Sequence, residues 1–436
     1  MVSKAKKYAP HKLDCGAPLL HHHGMLHLHK IHHGECLTYF DDPFIGSSPA
    51  RLWWGKLANE ISLPDEPDQS SLATLLSAGH MGKRHRGGAG KPLVALQMTF
   101  SAPKSVSLAG VLFDDQRVIT AHRYAVQTCL AHIEDNLLFC RLTSHGHTVQ
   151  VPSRGALIAL FNRFHSRSHD PHLHTHALLM NSGMTEPGRW RAIDQRHLFE
   201  EGHLLGDLYQ STLALCLAAY GYQVNFLVNG LIDIGDIPNG LSARFSGRRD
   251  QIRDKVKRVT GKELETLSEA GKEQFSLNTA PRRASISIER LRHRWMSGLS
   301  ATERAFTPPK TRSQNIEWNS REDANEAMLQ AYEDLRRPSG GVKRADLLRH
   351  VYAASVGRFS MLDLLATFED ITCGHLNVDG MPATLYDDRA MADRVAREED
   401  ECDARQAEHE VSEQLATESR NAAPLPTKSR RLSAPT

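Results

Sequence analysis

The chain has 436 residues, 40% apolar and 24% charged, an ordinary globular composition long enough for two or three domains. Its formal net charge of +2 excludes an overall basic field. Positive charge is instead local, at Lys83, Arg84 and Arg86, at Arg248 and Arg249, and along Arg253, Lys255, Lys257 and Arg258. The seven cysteines form no CxxC pair, which argues against Cys-ligated zinc and for a reducing compartment. No apolar run approaches the roughly 18–20 residues that span a bilayer, and no signal peptide is read at the start, so a cytoplasmic protein without membrane insertion is expected.

In chain order, residues 1–24 lack hydrophobic periodicity and read as a disordered extension. MLHLHKI, from Met25, alternates as a strand does, and its histidines fall at surface-like alternate positions. After LTYF and a Pro/Gly/Ser turn, WWGKLANEISL reads as a loop entering an amphipathic helix. Residues 78–92 are a glycine-rich basic loop. Its GAGKP is not a P-loop, because His85 stands five positions before Gly90 and Pro92 replaces the required Ser or Thr. PLVALQMTF (92–100) predicts a buried strand, and SAPKSVSLAGVLF turns from it into a helix. A long helix follows over 115–138, with Ala121, Ala125, Cys129, Ile133 and Leu137 at helical spacing. ALIALFNRFH (156–165) is a strand, SRSHDP a turn and HLHTHALLMN a returning strand. Residues 203–220 predict a helix, and 228–256 a short strand, a loop and a basic helix. Residues 301–341 are polar and Pro/Arg-rich, as a linker is; 342–399 form a small helical or winged-helix-like module with a hairpin around HLNVDGMPATLYD; 400–436 read as a disordered tail.

The stretch HSRSHDPHLHTHALLMN (165–181) carries the chemistry. The chain holds 25 His, seven of them between His21 and His33, so abundance alone identifies nothing. A helical metal pair needs His at i and i+4, whereas on a strand alternate residues share a face. His174 and His176 therefore point one way and Leu173, Thr175, Ala177 and Leu179 the other. With a third group from the preceding strand, neutral imidazoles hold a divalent ion that keeps open positions and acts as a Lewis acid on a phosphate oxygen. The alternative is a pair of hydrogen-bonded polar residues within a sheet.

Several collinear strings carry a resemblance: DPHLHTH with Asn181, MLHLHKIHHGECLTYF (25–40), WWGKLANEISL (53–63), TFSAPKSVSL (99–108), GRWRAI (188–193) and FSGRRDQI (245–252). Together they resemble conjugative relaxases of the TrwC/TraI (MobF) type, in the HUH endonuclease superfamily, over residues 25–300. The resemblance implies an α+β fold, a central antiparallel sheet with flanking helices. It implies a bacterial enzyme that nicks and rejoins one DNA strand at a transfer origin through a 5′-phosphotyrosine bond. Tyr39 then matches the nucleophile, and Lys104 a phosphate- or metal-proximal contact. On the same resemblance Arg163 contacts phosphate directly, and Arg167 and Asn181 contact DNA or brace the sheet. The implied cofactor is a divalent ion, Mg2+ or Mn2+ with Zn2+ as the alternative, on His165, His174 and His176. Implied partners are single-stranded or hairpin origin DNA, auxiliary relaxosome proteins and a type IV coupling protein.

Three positions depart from the family pattern. Arg163 stands where the first metal His belongs, with His165 two residues later. That offset keeps strand parity, and a one-pair register shift would let His165 ligate and draw His172 in as well. Gln97 replaces the acidic residue, and a neutral amide can orient an imidazole but is a poor base. Phe44 lies where a second tyrosine cluster is usual. A catalytically impaired DNA-binding protein therefore stands beside the nickase, with a zinc hydrolase a distant third. Trp53, Trp54, Trp190 and Phe100 are candidates for stacking bases or, more simply, for the core. No Walker A string occurs, so ATP-driven translocation is not expected.

Overall fold

Apolar residues on both faces of a strand require cover on both sides, and two strands here are of that kind. They sit inside a five-stranded sheet of order β1-β3-β7-β6-β2, with β1 Leu26–His32, β2 Arg51–Trp54, β3 Leu93–Ser101, β6 Ile158–His165 and β7 Pro171–Met180. All of its neighbours are antiparallel. A second hairpin, β4 Phe139–Ser144 and β5 His147–Pro152, lies outside it and pairs with Ile193–Asp194. The structure is a computed structural model. It describes residues 26–33, 51–77, 92–144, 147–186, 188–227, 231–238, 240–267, 271, 275, 286–310, 319–335, 342–355, 359–372 and 378–379.

One sheet face carries Leu96, Met98 and Phe100 of β3, Ile158 and Leu160 of β6, and Leu173, Ala177 and Leu179 of β7. Two long helices, Gln116–His132 and Gly202–Ala219, contribute to the same main core. The other face gathers Ala95, Ala159, Phe161, Leu178 and Met180 with Leu57 and Leu72 into a smaller cluster. That cluster covers only one end of the face, and the polar end holds the histidines.

The WWGK string has a steric cause. Gly55 adopts φ 106°, and a Cβ there would lie 2.2 Å from the Ala156 carbonyl oxygen. Only glycine lets β2 turn this tightly beside β6. Trp53 and Trp54 thus belong to an edge strand rather than the loop the sequence suggests, because they pair with Ala159 and Ile158. Phe100 is fully buried beside Tyr209, so it is core and not a base platform.

The carboxyl-terminal part differs more from the sequence reading. Within the expected linker, Arg321–Leu335 forms a helix that buries Ala324, Met328, Ala331 and Tyr332. It contacts the helices Arg344–Ser355 and Met361–Thr372, and these two pack on Gly202–Ala219. Arg344 Nη1 donates to both Glu201 carboxylate oxygens at 2.6 and 2.7 Å, and Met361 N to Ser211 Oγ at 3.0 Å. Ala and Met at i, i+4 and i+7 make an apolar stripe that the polar average of the segment conceals. The expected hairpin at 375–387 lies largely outside the described residues. Of it, Val378–Asp379 pairs in parallel with Val342–Lys343.

Beneath β7, on the main-core side, runs a buried chain of hydrogen bonds. Tyr209 OH meets His122 Nδ1 at 2.7 Å, His122 Nε2 meets Thr175 Oγ1 at 2.9 Å, and Thr175 donates to Asn162 Oδ1 at 2.7 Å. Since Thr175 spends its proton on Asn162, it accepts from His122 Nε2–H, and His122 Nδ1 accepts from Tyr209. The chain fixes the strand residue that lies between His174 and His176.

Burial first, and the neighbouring His174 and Arg123 second, hold the His122 imidazole down to about 3. Its unfolded value is near 6.5. The unfolded state therefore binds the proton first. The stability this group contributes is complete above pH 6.5 and is lost as the pH falls toward 3. Between pH 7.5 and 5 the loss should be about 2 kcal/mol from this residue. Urea denaturation of His122→Gln should show a shallower fall in stability over that range than the wild type, and parallel pH profiles would refute the assignment.

Candidate functional site

Register places the polar residues of the open face in rows. Ser101, His174 and Arg163 stand side by side on β3, β7 and β6. The next row is His27, Thr99, His176 and Phe161, and beyond it lie His29 and Gln97. Residues directly opposite in antiparallel strands share a face. The sheet thus brings His174 and His176 together with Gln97 and Arg163, two of the positions where the family pattern is broken. It also adds His27 and His29, which the sequence offers only as surface-like alternation.

The ring of His174 lies 5.1 Å from that of His176, centre to centre, and 4.5 Å from that of His172. His174 Nδ1 is 3.0 Å from the His172 carbonyl oxygen. A carbonyl only accepts, so the proton is on Nδ1 and the lone pair on Nε2, the tautomer a cation needs. His176 Nδ1 lies 3.2 Å from Gln97 Nε2 and 3.0 Å from Thr99 Oγ1, while Gln97 Nε2 donates to Thr99 Oγ1 at 3.0 Å. With the amide nitrogen toward the ring, Nδ1 carries the lone pair. A half-turn of the amide presents Oε1 instead, so that Nδ1–H donates and Nε2 acquires the lone pair. Gln97 can therefore set the tautomer of His176, although it cannot take up a proton.

Arg163 is only 4% exposed and faces His174 across the strand pair. Its guanidinium is permanently charged and offers no lone pair to a metal. Next to it the ladder slips: between the pairs Arg163–His174 and His165–Pro171, β6 advances two residues and β7 three. The extra residue makes a bulge at His172–Leu173. His165 consequently lies opposite Pro171 rather than His172. Its Nδ1 donates to Ser166 O at 3.0 Å, and its ring sits 5.4 Å from that of His169. The parity expected from its two-residue offset is broken by the bulge.

The turn after β6 is held from three sides. Lys104 Nζ donates to Pro171 O at 2.8 Å. Burial lowers its ammonium to about 8, although Asp170 nearby opposes the shift. Asp170 accepts from Arg248 N at 3.3 Å, at the amino end of the helix Gly247–Thr260, where the helix dipole favours a carboxylate. Trp295 Nε1 donates to His169 O at 2.8 Å. The Asp of the DP pair is thus an anchor for the FSGRRDQI helix, a role its sequence neighbourhood does not announce. Arg167 is exposed at the tip of this turn, and burial first, with the Arg167 charge second, lowers the Arg248 pKa. Asn181 is buried, donating to Leu93 O at 3.0 Å and accepting from Ile193 N at 3.2 Å.

Tyr39 and Phe44 lie outside the described residues. Among the described residues, no three His, Cys, Asp or Glu side chains already converge as a metal site. The donor set nevertheless suits a divalent ion: burial, then its His174 neighbour, keeps His172 neutral, and His174 carries its lone pair on Nε2.

Comparison with known proteins now bears on this face. The family model of the TrwC relaxase matches residues 11–302. The multifunctional conjugation protein TraI of Escherichia coli K12 is 28% identical over 282 residues, 62% of this chain and 15% of TraI. The chain therefore spans about 15% of the length of the curated relatives it matches. Among solved structures, a metal-bound conjugative relaxase TrwC in complex with oriT DNA is 29% identical with a TM-score of 0.58. It is matched over 65% of this chain and 100% of its own, as is a copper-bound form. A TrwC complexed with a 27-mer DNA comprising the recognition hairpin and cleavage site is 31% identical, with a TM-score of 0.53, over 60% of this chain and 93% of its own. With a matched family model over most of its length and that family's mixed helix and antiparallel-sheet fold, the chain belongs to the TrwC relaxase family.

Proposed function

We propose that the chain binds single-stranded or hairpin DNA at a conjugative transfer origin and nicks it by transesterification through Tyr39. The observation that carries this is the paired imidazoles on the central strand, beside Gln97 and Arg163, in a chain whose solved relatives hold oriT DNA. In the reaction the Tyr39 oxygen attacks the scissile phosphorus. The new tyrosine–phosphorus bond forms as the bond to the 3′ oxygen breaks, and the phenolic proton is released while the 3′ oxygen gains one. The energy of the phosphoester is kept for rejoining.

His174 and His176 would hold a divalent cation, Mg2+ or Mn2+ with Zn2+ as the alternative, which when bound would neutralise charge at the scissile phosphate. The chain's own residues do the rest. Arg163 offers a fixed positive donor on the same face. Gln97 orients His176 but leaves the phenolic proton, with its reference pKa near 10, without the carboxylate base of the family pattern. Lys104 and Arg167 lie at the turn where a DNA backbone would pass. Auxiliary relaxosome proteins and a type IV coupling protein follow as partners of this reading. A bacterial cytoplasmic setting accords with it, and no helix among the described residues is long and apolar enough to cross a membrane.

The substitutions at Gln97 and Arg163 favour one second reading, a protein that binds origin DNA without nicking it. Labelled origin hairpin mixed with the protein and Mn2+ should give a denaturation-resistant adduct that Tyr39→Phe abolishes. Gln97→Glu should speed adduct formation by about tenfold or more, since a positioned base contributes 10²–10⁴. Tight binding with no adduct from either wild type or Gln97→Glu would leave the binding protein.

The Lys104 ammonium loses its proton as the pH rises through about 8. Origin DNA binding by Tyr39→Phe protein should therefore weaken between pH 7 and 9. Adding Lys104→Arg should remove that dependence, and an unchanged pH profile would exclude Lys104 as a phosphate contact.

A further inference from the structure

One row of the sheet turns polar side chains into the main core. Phe100, Thr175 and Asn162 stand side by side on β3, β7 and β6, and Thr175 and Asn162 are buried. Thr175 donates to Asn162 across the strand pair at 2.7 Å and accepts from His122 of the helix Gln116–His132 at 2.9 Å. His122 accepts in turn from Tyr209 of the helix Gly202–Ala219 at 2.7 Å, and the Tyr209 ring lies 5.8 Å from that of Phe100. Apolar side chains would fill this space with no polar group to desolvate. A fully satisfied buried network instead fixes one arrangement against its neighbours. The arrangement at stake is the bulge. The row after Asn162–Thr175 is Arg163–His174, and the ladder slips immediately beyond it, to His165–Pro171. Were the bulge shifted inward past these rows, the outer pairing would run through them, with Asn162 opposite His174 and Arg163 opposite Leu173. That shift would part Arg163 from His174 and break the bond between Thr175 and Asn162. The side-chain bond therefore belongs to one position of the bulge.

We infer that Asn162, Thr175, His122 and Tyr209 are positioning residues for the nicking reaction: their hydrogen-bonded chain locks the bulge between β6 and β7 and so keeps Arg163 and His174 side by side. Two long helices thereby hold both members of that pair in register from the opposite face of the sheet. The inference rests on the nicking reading above, but its first test reads the protein without metal or DNA.

The full chain carrying isotope-labelled histidine is compared by NMR at one neutral pH, the His174 ring signal being assigned by its loss in His174→Gln. In the wild type the His172 carbonyl holds His174 in the Nδ1–H tautomer. Thr175→Val, which keeps the shape and removes the hydroxyl, should move that signal toward a tautomer mixture. Tyr209→Phe, the milder deletion at the far end of the chain of bonds, should move it the same way. Thr175→Ser keeps the hydroxyl and should give the wild-type signal. Adduct formation from saturating origin hairpin with Mn2+ should slow roughly 10–100-fold in Thr175→Val, the range for a partner that acts through another residue. Thr175→Ser should keep the wild-type rate. Leu179→Ala, which opens a cavity on the same face of β7 away from this row, should lower the melting temperature and spare both signal and rate. The inference is overturned if neither hydroxyl deletion moves the His174 signal, or if Thr175→Ser or Leu179→Ala slows the adduct as much as Thr175→Val does. A wild type that forms no adduct removes the nickase reading, and the His174 signal then decides the positioning by itself.

Discussion

The alternation of β7 is the constraint on which the rest depends. Its odd-numbered residues, Leu173, Thr175, Ala177 and Leu179, are tied to the main core, three by burial and Thr175 through His122 and Asn162. The even-numbered residues have no choice of face. Leu178 and Met180 fill the smaller core, and His172, His174 and His176 are left at the open end. A one-residue slip of this strand would drive imidazoles into the main core and leucines onto the polar face. Hydrophobic burial on one side thus sets the position of chemistry on the other. The Thr175 network adds a hydrogen-bonded register pin where packing alone would tolerate a slide.

That arrangement places opposing electrostatic demands within one short stretch. A divalent ion favours neutral imidazoles with their protons on Nδ1, and the His172 carbonyl enforces this for His174. A buried guanidinium across the ladder disfavours the same ion, yet both attract a phosphate. The two coexist if the metal sits along β7 and the phosphate bridges toward β6. Gln97 is a separate concession, for it keeps the orienting bond to His176 and gives up proton transfer.

Much of this was legible in the sequence. Strict alternation in HLHTHALLMN shows which histidines share a face, and the collinear strings reveal the family and its sheet. What the sequence hides is local. The bulge at His172–Leu173 has no signature in residue type, yet it sets Pro171 rather than His172 opposite His165. Asp170 looks like turn punctuation, and its role as an anchor for the helix Gly247–Thr260 depends on packing between residues some eighty positions apart. The pairing of Phe139–Ser144 with His147–Pro152 carries little sequence signal, because each strand is only six residues long. The helix Arg321–Leu335 vanished into a polar average. In each case tertiary contact, not propensity, settles the outcome.

The most direct measurement of the central claim is an anomalous difference map from crystals of the Tyr39→Phe protein grown with origin hairpin DNA and Mn2+. The account predicts a single strong peak beside β7, at the imidazoles of His174 and His176, with the scissile phosphate between it and Arg163. No peak on this face with the DNA in place, or a peak away from His174 and His176, would contradict it.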